Sequence, residues 1–368
     1  MGRRGRKPPV RVTLDSGDVK SLSDDEVRMI LRGADELIAA AGRNMLVKIL
    51  KGSRDKKVME HHLDQCPAYG YYQDLTLDEI SKRVDWMVEH DYIRIEYSGR
   101  LPMIAFSEKG WAIEEETYAE EIYQKFCQDL ESGERGMLSQ IKAVNREVVI
   151  DVLEKIRAGR NAEFLPMLEE WKESEVRKVR EMISSVQRSL ESPMSMPEIV
   201  YGQAGERDTK EVLSLIIKTV CRTYPQYYPE AVVDFFCMFH NKRRIQNDIR
   251  EGNVRVLRCD GHLIGTGSLE ENHITRVYVL PRFQGKGYGT RIMDELEQEI
   301  RKGYDRAVLD SSLPAYSLYE KRGYRTVRHE KLRLPDDTLL EYEVMEKQLR
   351  TEQIGFGFIL ENTGVCHE

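Results

Sequence analysis

The sequence predicts a multidomain α+β protein: helices closed by a β-hairpin, then an all-helical connector, then an α/β module on a mixed sheet. Three observations lead there. Two alternating runs, DYIRIEY (91–97) and LPMIAFSEKGW (101–111), follow amphipathic helical stretches and meet at a Ser-Gly-Arg turn. Residues 117–191 keep a helical period throughout, and from Glu198 strand and helix patterns alternate. At 368 residues the chain is long for one core, so two or three domains are expected. With 32% charged and 40% apolar residues it reads as soluble and globular, and no apolar run approaches a bilayer span. The basic N-terminus has no apolar segment behind it, which excludes a secretory signal. Six scattered cysteines without a Cys-x-x-Cys pair imply reduced thiols in the cytoplasm and no metal site.

Residues 1–22 read as a basic, disordered tail carrying Arg3, Arg4, Arg6, Lys7 and Arg11. The net charge of −7 argues against indiscriminate nucleic-acid binding, although local patches can differ from the mean. Ser23 with Glu26 three residues on is a capping-box pattern, and Leu31, Leu37 and Ile38 give that helix an apolar face. Residues 41–63 continue helically, with Lys48, Lys51, Arg54, Lys56 and Lys57 around a Gly-Ser turn. Thr76 caps a further helix with Ile80, Val84, Met87 and Val88 inward. Helices followed by a hairpin make a winged helix.

The strings KGSRDKKV, PAYGYYQDLT, DYIRIEY and LPMIAFSEKGW resemble the RQC domain of RecQ helicases in its minor, stand-alone form, over residues 23–116. The helicase motor and the cysteines of the preceding zinc module are missing. The resemblance implies contact with duplex or forked DNA, with Lys51, Arg54, Lys56, Lys57 and the wing-tip Arg100 meeting phosphates. The other reading is a winged helix used for protein contacts alone.

Residues 117–191 form the connector, with a HEAT-like pair packing Val148, Val149, Val152, Leu153 and Ile156 against Phe164, Leu165, Leu168 and Trp171. A single pair is too little for a solenoid, so a spacer or docking surface is expected. Residues 192–197 (SPMSMP) are a linker on composition, residues 198–349 hold the α/β module, and residues 350–368 read as a tail. In that module a strand and a helix precede a Pro- and aromatic-rich loop over 224–245, whose Tyr224, Tyr227, Tyr228, Phe235, Phe236 and Phe239 suit a substrate wall or plain core packing.

The module turns on residues 273–300. A strand ends at Pro281, Gly285, Gly287 and Gly289 follow, and a helical pattern starts at once. Strand, glycine turn and helix N-terminus make an anion site, because close-approaching N–H groups and the helix dipole point one way. No Walker string is present, and Thr290 stands where a dinucleotide fingerprint needs glycine. Gln284-x-x-Gly287-x-Gly289 resembles the coenzyme-A loop of GNAT acetyltransferases, and Ala315-x-x-Leu318-Tyr319-Glu320-Lys321-x-Gly323-Tyr324 resembles that family's second signature.

The resemblance implies the GNAT α/β fold with a splayed mixed sheet, acetyl-CoA as co-substrate and no metal. It places Val277 and Val279 against the pantetheine arm, and Gln284, Gly285, Lys286, Gly287, Tyr288, Gly289 and Thr290 around the diphosphate. Ser312 stands where relatives carry Asn. Tyr319 is implied as general acid toward the coenzyme-A thiolate, while His273, Glu270 and Glu271 are candidate bases. Direct attack by a primary amine in a ternary complex is expected, the oxyanion held by a strand N–H near Val277. Two alternatives stand beside this: a non-catalytic acyl-CoA sensor governing a DNA-binding module, and a helicase accessory protein.

Overall fold

The computed structural model describes residues 12–191 and 197–349. The basic residues 3–11, nearly all of the linker 192–197 and the tail 350–368 lie outside them. The N-terminal module has α1 (Asp24–Asp35), α2 (Arg43–Lys51), α3 (Lys56–Glu60) and α4 (Leu77–Glu89), then the hairpin β1 (Ile93–Ser98) and β2 (Leu101–Phe106). The expected capping box forms at Ser23 with Glu26, and the expected cap Thr76 proves to be a second box with Glu79, each satisfying two donors at a helix start. Ile30, Leu31, Leu46, Ile49, Leu50, Ile80, Val84, Trp86, Ile93 and Ile104 share one core. Each such side chain contributes about 1.5–3 kcal/mol by leaving water.

Residues 12–22 correct the expectation of a loose tail. Val19 and Leu22 pack on that core, and the Asp15 N–H donates to Asp85 Oδ2 at 3.0 Å. Asp85 is buried and also holds Arg43, so this segment helps satisfy a buried carboxylate. The second strand is shorter than expected. It ends at Phe106, where Ser107 accepts the Gly110 N–H and caps α5 (Glu108–Ser132). Helix α5 therefore runs unbroken across the domain boundary expected at residue 116.

The connector continues with α6 (Gly136–Gln140), α7 (Arg146–Gly159), α8 (Leu165–Glu173) and α9 (Arg177–Glu191) around Phe126, Val152, Leu153, Phe164, Leu168, Trp171 and Ile183. The C-terminal module runs β3 (Ile199–Gln203), α10 (Thr209–Thr223), α11 (Glu230–Phe239), α12 (Lys242–Arg250), β4 (Val254–Cys259), β5 (His262–Glu270), β6 (His273–Val279), α13 (Tyr288–Ile300), β7 (Arg306–Ser311), α14 (Tyr316–Lys321), β8 (Arg325–Arg333) and β9 (Leu339–Gln348). The stretch expected as a loop over 224–245 is thus mostly α11 and α12. Pro229 stands just before the first turn of α11, where a fixed φ helps rather than breaks, and the Asn241 side chain caps α12.

The seven-stranded sheet has the order β3-β4-β5-β6-β7-β9-β8. Strands β6 and β7 are parallel and pair only at His273↔Val308 and Ile274↔Leu309, so the sheet splays beyond Ile274. Helix α13 lies hard against β5: a Cβ at Gly265 or Gly267 would stand 2.7 Å from the Ile292 side chain. That close approach fixes where the N-terminus of α13 meets the end of β6.

The modules are docked. Lys109 of α5 donates to Asp234 of α11 at 2.5 Å, and Glu147 of α7 takes the Trp111 indole N–H at 2.8 Å and pairs with Lys210 of α10 at 2.6 Å.

Candidate active site

The loop after β6 is a 3-10 turn, Pro281–Phe283, followed by Gly285 at φ 73° and Gly287 at φ 84°. A side chain is strained at both angles, and the space where a Cβ would sit is open. None of the backbone N–H groups from Gly285 to Thr290 donates to a carbonyl of the described residues; the first helical bond is Arg291 N–H to Gly287. Six donors thus stand together at the positive end of a 13-residue helix. This cradle fits a diphosphate. Lys286 is exposed beside it, Tyr288 opens α13, and Thr290 lies in its first turn.

On its β5 side β6 is paired apart from a bulge at Thr275, with Val277 opposite Gly267 and Val279 opposite Gly265; its other edge is unpaired past Ile274. Gln284 turns back along the strand, and its amide donates to the Val279 carbonyl at 2.8 Å. An incoming amide would have to share or displace that bond.

Tyr319 of α14 is buried, with its ring edge-on to Tyr324. Burial holds its phenol above the ordinary range, so the proton stays on at neutral pH. The three candidate bases sit at the β5–β6 turn. Glu270 and Glu271 are exposed, and His273 lies at the closed end of the splay with Nε2 3.5 Å from Asp310.

The splay holds a network that the sequence did not single out. Tyr224 donates to Ser312 Oγ at 3.3 Å and lies 3.3 Å from the Tyr278 hydroxyl, which is 3.0 Å from His240 Nε2. Each hydroxyl has one proton, so the chain runs one way: His240 N–H to Tyr278, Tyr278 to Tyr224, Tyr224 to Ser312. Ser312, expected to face the carrier, is therefore tied across the splay to β6. His240 Nδ1 is left as a buried acceptor without a partner among the described residues. Burial, with Arg276 and Arg244 nearby, pushes the imidazole down to about 3. Arg276, buried on the same strand, is held by Asp248. The sequence named Tyr224 and Ser312 for other roles, and His240 showed only as a histidine closing a helix rich in Val and Phe.

Residues 223–333 match the family described as the acetyltransferase (GNAT) domain, and residues 23–126 match the RQC domain. The chain joins an RQC domain to a GNAT acetyltransferase domain. An ATP-dependent DNA helicase RecQ of Bacillus subtilis is 29% identical over 85 residues, 23% of this chain and 14% of the helicase. Similar solved structures include a GCN5-related N-acetyltransferase from Rhodopseudomonas palustris (20% identity, covering 42% of this chain and 97% of that one, TM-score 0.38). Another is the PaiA N-acetyltransferase of Thermoplasma acidophilum in complex with coenzyme A (19% identity, 41% and 99%, TM-score 0.34).

The RQC match continues past residue 116 into α5, the helix that docks on the GNAT domain. Within the RQC domain Arg54, Lys56 and Lys57 are exposed, and Lys56 pairs with Glu60 at 3.5 Å. Arg100 lies in the wing-tip turn between Tyr97 and Leu101, both exposed. Lys51 departs from the expectation. Its ammonium donates to the carbonyls of Gln73 and Leu75 at 2.5 and 2.8 Å, pinning the segment that leads into α4 rather than facing outward. Among the described residues no helix is long and apolar enough to cross a membrane.

Proposed function

We propose that the protein is an N-acetyltransferase that moves acetyl from acetyl-CoA to a primary amine by direct attack in a ternary complex. The observation that carries this is the row of uncommitted N–H groups from Gly285 to Thr290, beside the unpaired edge of β6. When bound, acetyl-CoA supplies an activated acetyl group. Gly285, Lys286, Gly287, Tyr288, Gly289 and Thr290 hold the diphosphate, and Val277 and Val279 align the arm along the splay. The Tyr319 hydroxyl keeps its proton until a departing thiolate needs it. His273, Glu270 or Glu271 takes the proton that the amine must lose. The RQC domain binds duplex or forked DNA through Arg54, Lys56, Lys57 and Arg100, so acetylation acts on amines brought near DNA or its bound proteins.

The deciding experiment is calorimetric titration of the full chain with acetyl-CoA, followed by thiol release against a panel of amines and DNA-associated proteins. Tight binding with acceptor-dependent release supports the proposal; no binding at millimolar carrier refutes it. Binding without turnover on any acceptor favours an acyl-CoA sensor instead. For the RQC domain, fluorescence anisotropy with forked and blunt duplexes should show binding that weakens steeply with salt. No salt-dependent binding at low ionic strength would remove DNA from the proposal.

A further inference from the structure

The turn that feeds the glycine loop is held from outside the GNAT domain. Asp151 of α7, a buried carboxylate, accepts from Arg282 Nη1 at 3.0 Å and from Lys218 Nζ at 3.3 Å. Arg282 is the middle residue of the turn Pro281–Phe283, two positions before Gln284. Lys218 of α10 also donates to Glu115 of α5 at 2.8 Å. An ionic cluster therefore links α5 and α7 of the N-terminal part to α10 and the carrier loop of the C-terminal part. Burial alone would raise the Asp151 carboxyl, yet Lys218 and Arg282 outweigh it and hold the group below its ordinary range. Beside the cluster lies a cavity of about 590 Å³, with Asp151, Lys218, Leu280 and Arg282 in its wall.

Within its own module the turn is held by Phe283, which packs on the core and against Tyr288, and by the Gln284 amide on the Val279 carbonyl. Its bonds Phe283 N–H to Leu280 and Gln284 N–H to Pro281 are local, and the space around Gly285 and Gly287 is open. The Arg282–Asp151 pair adds a tie from outside, joining the turn to a helix 131 residues earlier in the chain.

We infer that Asp151 is a positioning residue for the acyl-CoA site, acting through Arg282 to hold the diphosphate loop in its binding-ready shape. The helical connector is then a working part of the carrier site, and displacement of α7 would loosen carrier binding. The inference rests on the acetyl-CoA reading of the loop.

The test is a double-mutant cycle on the full chain with Arg282→Ala, Asp151→Asn and the pair together, read by coenzyme-A calorimetry. Arg282→Ala leaves the Asp151–Lys218 pair intact, so the fold is kept. Each single variant should weaken coenzyme-A binding by about tenfold, and the double no further than the weaker single. The kcat at saturating acetyl-CoA should stay within about twofold, because only binding is touched. Without carrier, hydrogen exchange at the Phe283 and Gln284 amides should quicken in both singles while Leu296 in α13 is unchanged. Asp151→Glu should restore part of the affinity. Additive losses would overturn the inference. So would an Asp151→Asn protein with wild-type affinity and wild-type exchange beside a weakened Arg282→Ala, which would make Arg282 a direct carrier ligand. A wild-type chain that ignores coenzyme A would refute the acetyl-CoA reading, while the exchange measurement would still report whether the ion pair orders the turn.

Discussion

The Tyr319 hydroxyl and the His240 imidazole show how burial sets a residue's protonation state. Burial favours the neutral form of both, so Tyr319 keeps a proton to give and His240 does not take one. Tyr319→Phe removes the hydroxyl without changing ring packing, and kcat should fall by about 10²-fold with KM for acetyl-CoA nearly unchanged. Steady-state thiol release measures this; an unchanged kcat would make Tyr319 a packing residue only. His240 makes a second prediction, with the sign fixed by its lowered folded pKa. Above pH 6.5 both folded and unfolded imidazoles are neutral and nothing is lost. Below it the unfolded chain binds a proton that the fold refuses, so stability drains away as the pH falls toward 3. By pH 5 the loss should be about 2 kcal/mol. Urea unfolding at pH 7 and pH 5 should show wild type losing more than His240→Gln by that amount; equal losses would mean the imidazole is not buried neutral. Tyr319 could be proposed from its motif. The His240 chain could not, because it joins residues 224, 240, 278 and 312, which only the fold brings together.

At the scale of elements, the strand–turn–helix unit around β6 and α13 was legible because glycine spacing and helical period are local signals. The region after α10 was not. Pro229 reads as a breaker, but at the head of α11 it presets the first turn, and the same residue type carries opposite meanings in the two places. The splay, too, is a property of register: β6 and β7 share only two residue pairs, which no periodicity in either strand encodes. A direct test of the unit is Gly287→Ala. At φ 84° an added Cβ costs about 1–2 kcal/mol, and thermal unfolding should show that loss. Carrier affinity should drop with it, since the relaxed loop would no longer turn its N–H groups inward. A variant that keeps wild-type stability and affinity would show that the loop does not need the left-handed angle.

On the whole-molecule scale, the order of modules could be read from composition and motifs, and their docking could not. Charges on α5 and α7 look like ordinary solvated faces in the sequence, yet Lys109, Glu115, Glu147 and Asp151 all face the GNAT domain. Lys109 is the most exacting of these contacts. It is 5% exposed, lies over the Tyr92 ring at 3.6 Å and serves both Glu230 and Asp234. Burial alone would lower its ammonium, but the partners raise it, so the lysine stays charged inside the interface. Lys109→Met keeps the stem and removes the charge, leaving two carboxylates facing an apolar group. The cost should be about 1–3 kcal/mol and should fall on the docking rather than on either core. Calorimetric unfolding of wild type should then be close to one transition, because the modules share an interface, whereas Lys109→Met should separate into two. If the variant unfolds in a single transition at the wild-type temperature, the modules are not held by this lysine, and the docking rests on the remaining contacts, the Asp151 cluster and the Glu147–Lys210 and Arg157–Asp260 pairs among them.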